Sequence, residues 1–107
     1  MDLRDDRPEP SRAEVDALLG PTVLEFGTDW CGYCQAAQPL VVATLAPRPE
    51  VRHLKITDGK GRSLGRSFGV KLWPTFIFLR DGREQARVVR PTDPAPLQRA
   101  LAAISDG

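Results

Sequence analysis

The stretch TVLEFGTDWCGYC, residues 22–34, decides the fold. Thr22 to Gly27 reads as a strand: Val23, Leu24 and Phe26 are apolar and Glu25 is its only charge. Thr28 and Asp29 form a loop into Trp30-Cys31. From Gly32 to Leu45 the pattern turns helical, with Ala36, Leu40 and Ala43 among the residues expected on the apolar face and Pro39 expected to kink it. A strand thus runs directly into a helix, with Cys31 and Cys34 at the junction. A thiol there faces the unpaired N–H groups and the positive dipole end of the helix, both of which favour an anion. Cys34 lies one turn further in, on the same face.

These are the only two cysteines among 107 residues. A disulfide between them closes almost no loop, so it gains little as a structural staple. A zinc site usually needs four ligands, and one pair with the lone His53 does not supply them. The spacing is that of redox motifs, and no metal is expected.

Working outward, Ser11 reads as an N-cap, with Glu14 completing a capping box. Val15, Leu18 and Leu19 give a short amphipathic stripe that Gly20-Pro21 ends. Residues 1–10 are charged and contain Pro8 and Pro10, and are read as a flexible tail; residues 11–107 form one domain. On the C-terminal side, Val51 to Ile56 alternates as a second strand, and residues 57–62 are a Gly-rich loop. Leu64 and Phe68 mark a short helix stopped by Gly69. Trp73-Pro74 precedes a third strand, Thr75 to Leu79. Asp81-Gly82 signals a hairpin into a fourth strand, about Glu84 to Arg90. A last helix begins at Thr92 or Asp93 and buries Leu97, Leu101 and Ile104. The order α-β-α-β-(α)-β-β-α implies an α/β fold, with a central mixed sheet of about four strands and helices on both faces.

Composition removes other classes. Lys plus Arg number 15 and Asp plus Glu 14, for a formal net charge of +1. That balance offers no electrostatic footprint for nucleic acid or an anionic membrane. No apolar run approaches the ~18 residues of a membrane span. The charged N-terminus has no apolar h-region, so a signal peptide is not expected and a cytoplasmic location is.

Taken together, these residues resemble the thioredoxin family from about Thr22 to Ile104. The features run in order. Glu25 stands six before the first cysteine, Trp30-Cys31-Gly32-Tyr33-Cys34 opens a helix, and Pro39 lies inside it. Phe68-Gly69-Val70, the Pro74-Thr75 pair and an Asp-Gly hairpin follow. A CxxC alone is weak; a CxxC after a strand, with a Pro-Thr opening a hairpin strand, is specific. The N-terminal strand of larger thioredoxins has no counterpart in residues 1–10, so four strands are expected.

The resemblance implies a monomeric thiol–disulfide oxidoreductase acting on protein disulfides, with no metal or organic cofactor, recharged by a thiol reductase or oxidant. It implies that Cys31 is the nucleophile and Cys34 the resolving thiol. It assigns Glu25 to accept the Cys34 proton, with a raised pKa; a surface carboxylate on an edge strand is the plain alternative. It implies a cis bond before Pro74 and a Trp73 backbone able to pair with an extended substrate. Trp30, Gly32, Tyr33, Trp73 and Pro74 form the expected substrate contacts, although either tryptophan could be core instead. His53 falls near a family lysine that pairs with the buried acid, but a structural or surface histidine is the commoner case.

Three residues depart from the family. Tyr33 replaces a usual proline and restores an N–H near Cys31, which would stabilise a thiolate and make the couple less reducing. If Tyr33 only points to solvent, it changes little. The same Gly-Tyr pair occurs in bacterial periplasmic disulfide isomerases. Trp73 replaces a smaller residue. Arg90 falls roughly where thioredoxins carry glycine in the substrate groove, which suggests a different or narrower substrate set. A redox-sensing adaptor and a more oxidising oxidase or isomerase are the alternative functions.

Overall fold

A computed structural model describes residues 9–105. Residues 1–8, most of the expected tail, lie outside the described residues. Glu9, at the end of that segment, accepts a hydrogen bond from the Leu64 N–H at 3.3 Å.

The chain runs α1 (Arg12–Asp16), β1 (Pro21–Gly27), α2 (Gly32–Leu45), β2 (Arg52–Thr57), α3 (Ser63–Ser67), β3 (Thr75–Arg80), β4 (Arg83–Val89) and α4 (Ala95–Ile104). The sheet order is β2-β1-β3-β4, with β1 parallel to β2 and antiparallel to β3, and β3 antiparallel to β4. This is the expected mixed four-stranded sheet. No strand precedes β1 among the described residues.

Alternation along the two central strands divides the core. Val23, Phe76 and Phe78 face α2 and α4, packing on Ala37, Val41, Leu97, Leu101 and Ile104. Leu24, Phe26, Ile77 and Leu79 face the opposite side and pack on Val15, Leu64 and Phe68. Helices therefore cover both faces, and β1 and β3 are apolar on both sides because both are covered. Successive side chains on a strand point to opposite faces, so Glu25 lies on the α2 side, between Leu24 and Phe26 on the other.

The local chemistry accounts for the element ends. The Ser11 hydroxyl accepts from the Glu14 N–H at 3.0 Å while the Glu14 carboxylate accepts from the Ser11 N–H at 2.9 Å, completing the expected capping box. Asp81 and Gly82 have φ of 52° and 79°, the two left-handed positions of a tight hairpin turn.

Three expectations need correction. The stripe of α1 stops earlier: the helix ends at Asp16, and Leu19 is exposed on the way into β1. The buried face of α2 is Cys34, Ala37, Val41 and Thr44, whereas Ala36 and Ala43 are exposed. The stripe is set by the inward-facing Cys34, so spacings of three and four from that residue define it, and a polar Thr44 takes a core position by donating its hydroxyl to the Leu40 carbonyl at 2.8 Å. The last helix starts two residues late, at Ala95, whose N–H bonds the Asp93 carboxylate at 2.9 Å.

Candidate active site

The dithiol sits where β1 hands the chain to α2. Cys31 is the N-cap residue, with extended backbone at φ −80°, ψ 119°, and Cys34 lies in the first helical turn. Both are thiols, not joined by a disulfide. The N-cap position explains their relation: its side chain is the group that meets an orphan N–H of the first turn. The Cys34 N–H accordingly donates to the Cys31 sulfur at 3.2 Å. Cys31 is 8% exposed and Cys34 2%, so both are buried, the first less completely than the second.

That hydrogen bond corrects the expectation about Tyr33. The N–H that reaches the sulfur belongs to Cys34, which a proline at position 33 would leave in place. Tyr33 is instead exposed, and its ring carries the Arg90 guanidinium, whose carbon lies 3.9 Å from the ring centroid.

Beneath the cysteines is a polar cluster. Glu25 is 0% exposed on an interior strand, which removes the edge-strand alternative. One carboxylate oxygen accepts from His53 Nε2 at 2.7 Å and the other from Gln38 Nε2 at 2.8 Å. The Gln38 amide also donates to the Cys34 carbonyl at 3.1 Å, and its oxygen accepts from Lys55 Nζ at 2.7 Å. Gln38 thus ties the resolving cysteine, the buried acid and β2 together. Burial pushes the Glu25 carboxyl upward, but the hydrogen bonds from His53 and Gln38 and the positive charges of His53 and Lys55 outweigh it. The carboxyl is held below its ordinary value. The expectation of a raised pKa fails because it counted burial and left out these partners.

His53, expected more often as a bystander, is that acid's direct partner and is 24% exposed. Gln38 and Lys55 were missed altogether. The signals were present: Gln38 lies four residues after Cys34 on one helical face, and Lys55 lies two after His53 on one strand face. In the parallel register Val23 stands opposite His53 and Glu25 opposite Lys55.

The rim is aromatic. Trp30 is 75% exposed and meets half-buried Trp73 edge to face, ring centroids 5.7 Å apart. Neither is core. Trp73 Nε1 donates to Asp58 at 2.8 Å, and Gly65 makes room for that carboxylate, since a Cβ there would fall on it. Gly32 lies exposed in the first turn of α2. The Trp73–Pro74 bond is cis, and Pro74 is buried at the mouth of β3. The Trp73 carbonyl is not left open as expected: it accepts from Arg90 Nε at 2.8 Å. Among the described residues, no three side chains cluster as metal ligands.

Comparison with known proteins gives this arrangement a family. The thioredoxin family model matches residues 9–103. The chain belongs to the thioredoxin family. The family's activity, thiol–disulfide oxidoreduction through a CxxC dithiol, is the activity of this domain, and Cys31 and Cys34 are its CxxC pair. Thioredoxin 2 from Pseudomonas aeruginosa PAO1, solved in its reduced form, is 60% identical with a TM-score of 0.84, covering 97% of this chain and 96% of that one. Thioredoxin Asp f 28 of Aspergillus fumigatus is 29% identical over 86 residues, 80% of either chain. Thioredoxin H-type 1 of Nicotiana tabacum is 33% identical over 67 residues, 63% of this chain; the match spans only 53% of that relative, about half its length.

Proposed function

We propose that this thioredoxin domain catalyses dithiol–disulfide exchange on protein substrates, with Cys31 as nucleophile and Cys34 as resolving thiol. The observation that carries this is the stacking of two buried thiols one helical turn apart, the outer one accepting the N–H of the inner residue. Negative charge arising on the Cys31 sulfur is met by that N–H and by the helix dipole. The Cys31 thiolate attacks one sulfur of the substrate disulfide. That S–S bond breaks, a mixed disulfide forms, and the departing substrate thiolate takes up a proton. Cys34, deprotonated, attacks the Cys31 sulfur, releases the second substrate thiolate and leaves a Cys31–Cys34 disulfide. The substrate gains two electrons and the dithiol loses two, so an external thiol reductase must recharge the pair for another cycle. Operated in reverse with an oxidant, the same steps would oxidise substrate.

In this reading Glu25, kept ionised by His53, Gln38 and Lys55, takes the Cys34 proton only transiently as that thiol attacks, with Gln38 joining the two residues and partly exposed His53 lying on the solvent side of the acid. Trp30, Tyr33, Trp73 and Pro74 supply the surface on which substrate is held. The reading includes a monomer in a reducing, cytoplasmic setting, supported by a cysteine inventory that holds one redox pair and nothing for structural disulfides.

The test is turnover and trapping. With dithiothreitol as electron donor, the protein should reduce insulin disulfides through many cycles, and Cys31→Ser should abolish this. Cys34→Ser should accumulate mixed disulfides that identify the partners. Stoichiometric reaction without turnover would instead mark a redox-sensing adaptor.

A further inference from the structure

Arg90 follows β4 directly, with φ of +48°. A non-glycine residue in that left-handed region carries a conformational cost that glycine would not. Its backbone is pinned there, because its N–H donates to the Pro74 carbonyl at 3.0 Å. From that anchor the side chain reaches both Trp73 and the first turn of α2. Its Nε–H reaches the Trp73 carbonyl at 2.8 Å, and its guanidinium lies on the Tyr33 ring. One side chain thus bridges the loop before β3 and Tyr33, which stands between the two cysteines in the first turn of α2.

Among the described residues no carboxylate pairs with this guanidinium. Arg12, Arg48 and Arg87 each pair with a carboxylate, at 2.9, 2.7 and 2.8 Å respectively. Among the described residues Arg90 is held only by a carbonyl and a ring face. The Asp58 carboxylate nearby is engaged by the Trp73 indole. The Arg90 Nη groups are therefore a cationic fork at the rim, already ordered by stacking and by one hydrogen bond.

Two consequences follow for a bound chain. An extended substrate that paired with Trp73 through backbone alone would find one acceptor position of that carbonyl already filled by Arg90. A substrate side chain bearing a carboxylate would meet a guanidinium fork of matching geometry, with little further entropy to lose.

We propose that Arg90 is a specificity-determining residue: it selects protein disulfides that carry Asp or Glu beside the cysteine attacked by Cys31. This rests on the exchange reading above. Tyr33 has the matching role of a platform that holds the cation in place.

The test compares two disulfide peptides that differ only in one flanking residue, Glu in one and Gln in the other. The wild-type protein should favour the Glu peptide by about tenfold in kcat/KM at low salt, the size of one charge-assisted contact at a rim. The preference should shrink as salt rises. Arg90→Gly, which suits the left-handed backbone, should bring the ratio close to one. Arg90→Lys, which keeps the charge but loses the fork, should fall between. A wild-type ratio near one, or a ratio unchanged in Arg90→Gly, would overturn the proposal while leaving exchange intact. Failure of the wild-type protein to reduce either peptide would overturn the exchange reading and this proposal with it.

Discussion

Removing His53 should reverse the sign of what Glu25 contributes to stability. In the native protein Glu25 is buried but held below its ordinary pKa, because the hydrogen bonds of His53 and Gln38 and the charges of His53 and Lys55 outweigh the burial. A carboxyl whose folded pKa lies below its unfolded value of about 4.3 adds stability above that value, and loses it as pH falls through the folded pKa. His53→Ala deletes the largest opposing hydrogen bond and its charge together. Burial is then opposed only by Gln38 and Lys55, and the Glu25 carboxyl should rise above its unfolded value. Its contribution is then favourable only at low pH, and is lost as pH rises through the new folded pKa. A hydrogen bond to a charged group is worth about 1.5–3 kcal/mol, so the reversal should be near 2 kcal/mol at pH 7. For a domain of this size that is a Tm change of roughly 8 °C.

The clean measurement adds Glu25→Gln to each background and follows thermal unfolding by circular dichroism from pH 4 to 8. In the wild-type background the substitution should destabilise at neutral pH. In His53→Ala it should stabilise at neutral pH, and the gain should vanish near pH 4. A Glu25→Gln effect of the same sign and size in both backgrounds would refute the account, since the two side chains would then be uncoupled.

Three other outcomes are expected. Glu25→Gln should slow resolution of the mixed disulfide by about 10–100-fold in single-turnover stopped flow, with little change in the first attack by Cys31; equal slowing of both steps would argue for a general structural effect. Gly65→Ala should push the flexible Asp58 carboxylate off Trp73 and shift tryptophan emission with little net change in stability, since the better helix former offsets the lost hydrogen bond, so an unchanged emission spectrum would contradict the contact. Gly82→Ala combines a left-handed φ of 79° with a Cβ that would fall on the Asp16 carbonyl, and should cost about 1–3 kcal/mol in denaturant melts while insulin turnover at low temperature stays intact.

The fold was legible where one chemical signal dominated a segment. Ser11 with Glu14, Asp81 with Gly82, and the apolar runs of β1 and β3 each point to one local structure, and the chain adopts it. Legibility dropped in α2, where apolar residues are spread round the helix and Ala36 or Ala37 could equally face inward. Only the orientation of Cys34 against the sheet selects Ala37. The site followed the same rule. The cysteines and Pro74 are marked by type and spacing, whereas Gln38, His53 and Lys55 become a cluster only when β2 lies parallel to β1 with Glu25 opposite Lys55. That register cannot be read from either strand alone. Arg90 was visible as a departure, but its reach to Trp73 and Tyr33 depends on a left-handed turn that an arginine gives little reason to expect.

The unusual residues of this domain fall into two sets, a buried one around Glu25 below the dithiol and a rim pair, Arg90 and Tyr33, above it. Below, Glu25 is tied through Gln38 to Cys34 and through His53 toward solvent, so changes there should act on proton transfer and appear as pH dependence. Above, Arg90 and Tyr33 meet what approaches Cys31, so changes there should act on substrate choice and appear as salt dependence. The sulfur contact itself, from the Cys34 N–H to Cys31, needs neither group. Substrate preference can therefore diverge without rebuilding the exchange chemistry. A double variant carrying Arg90→Gly and Glu25→Gln tests that separation. Its loss of acidic-peptide preference and its slowed resolution should equal those of the two single variants taken together. A strong interaction between them would mean that rim and buried acid form one unit, contrary to the geometry.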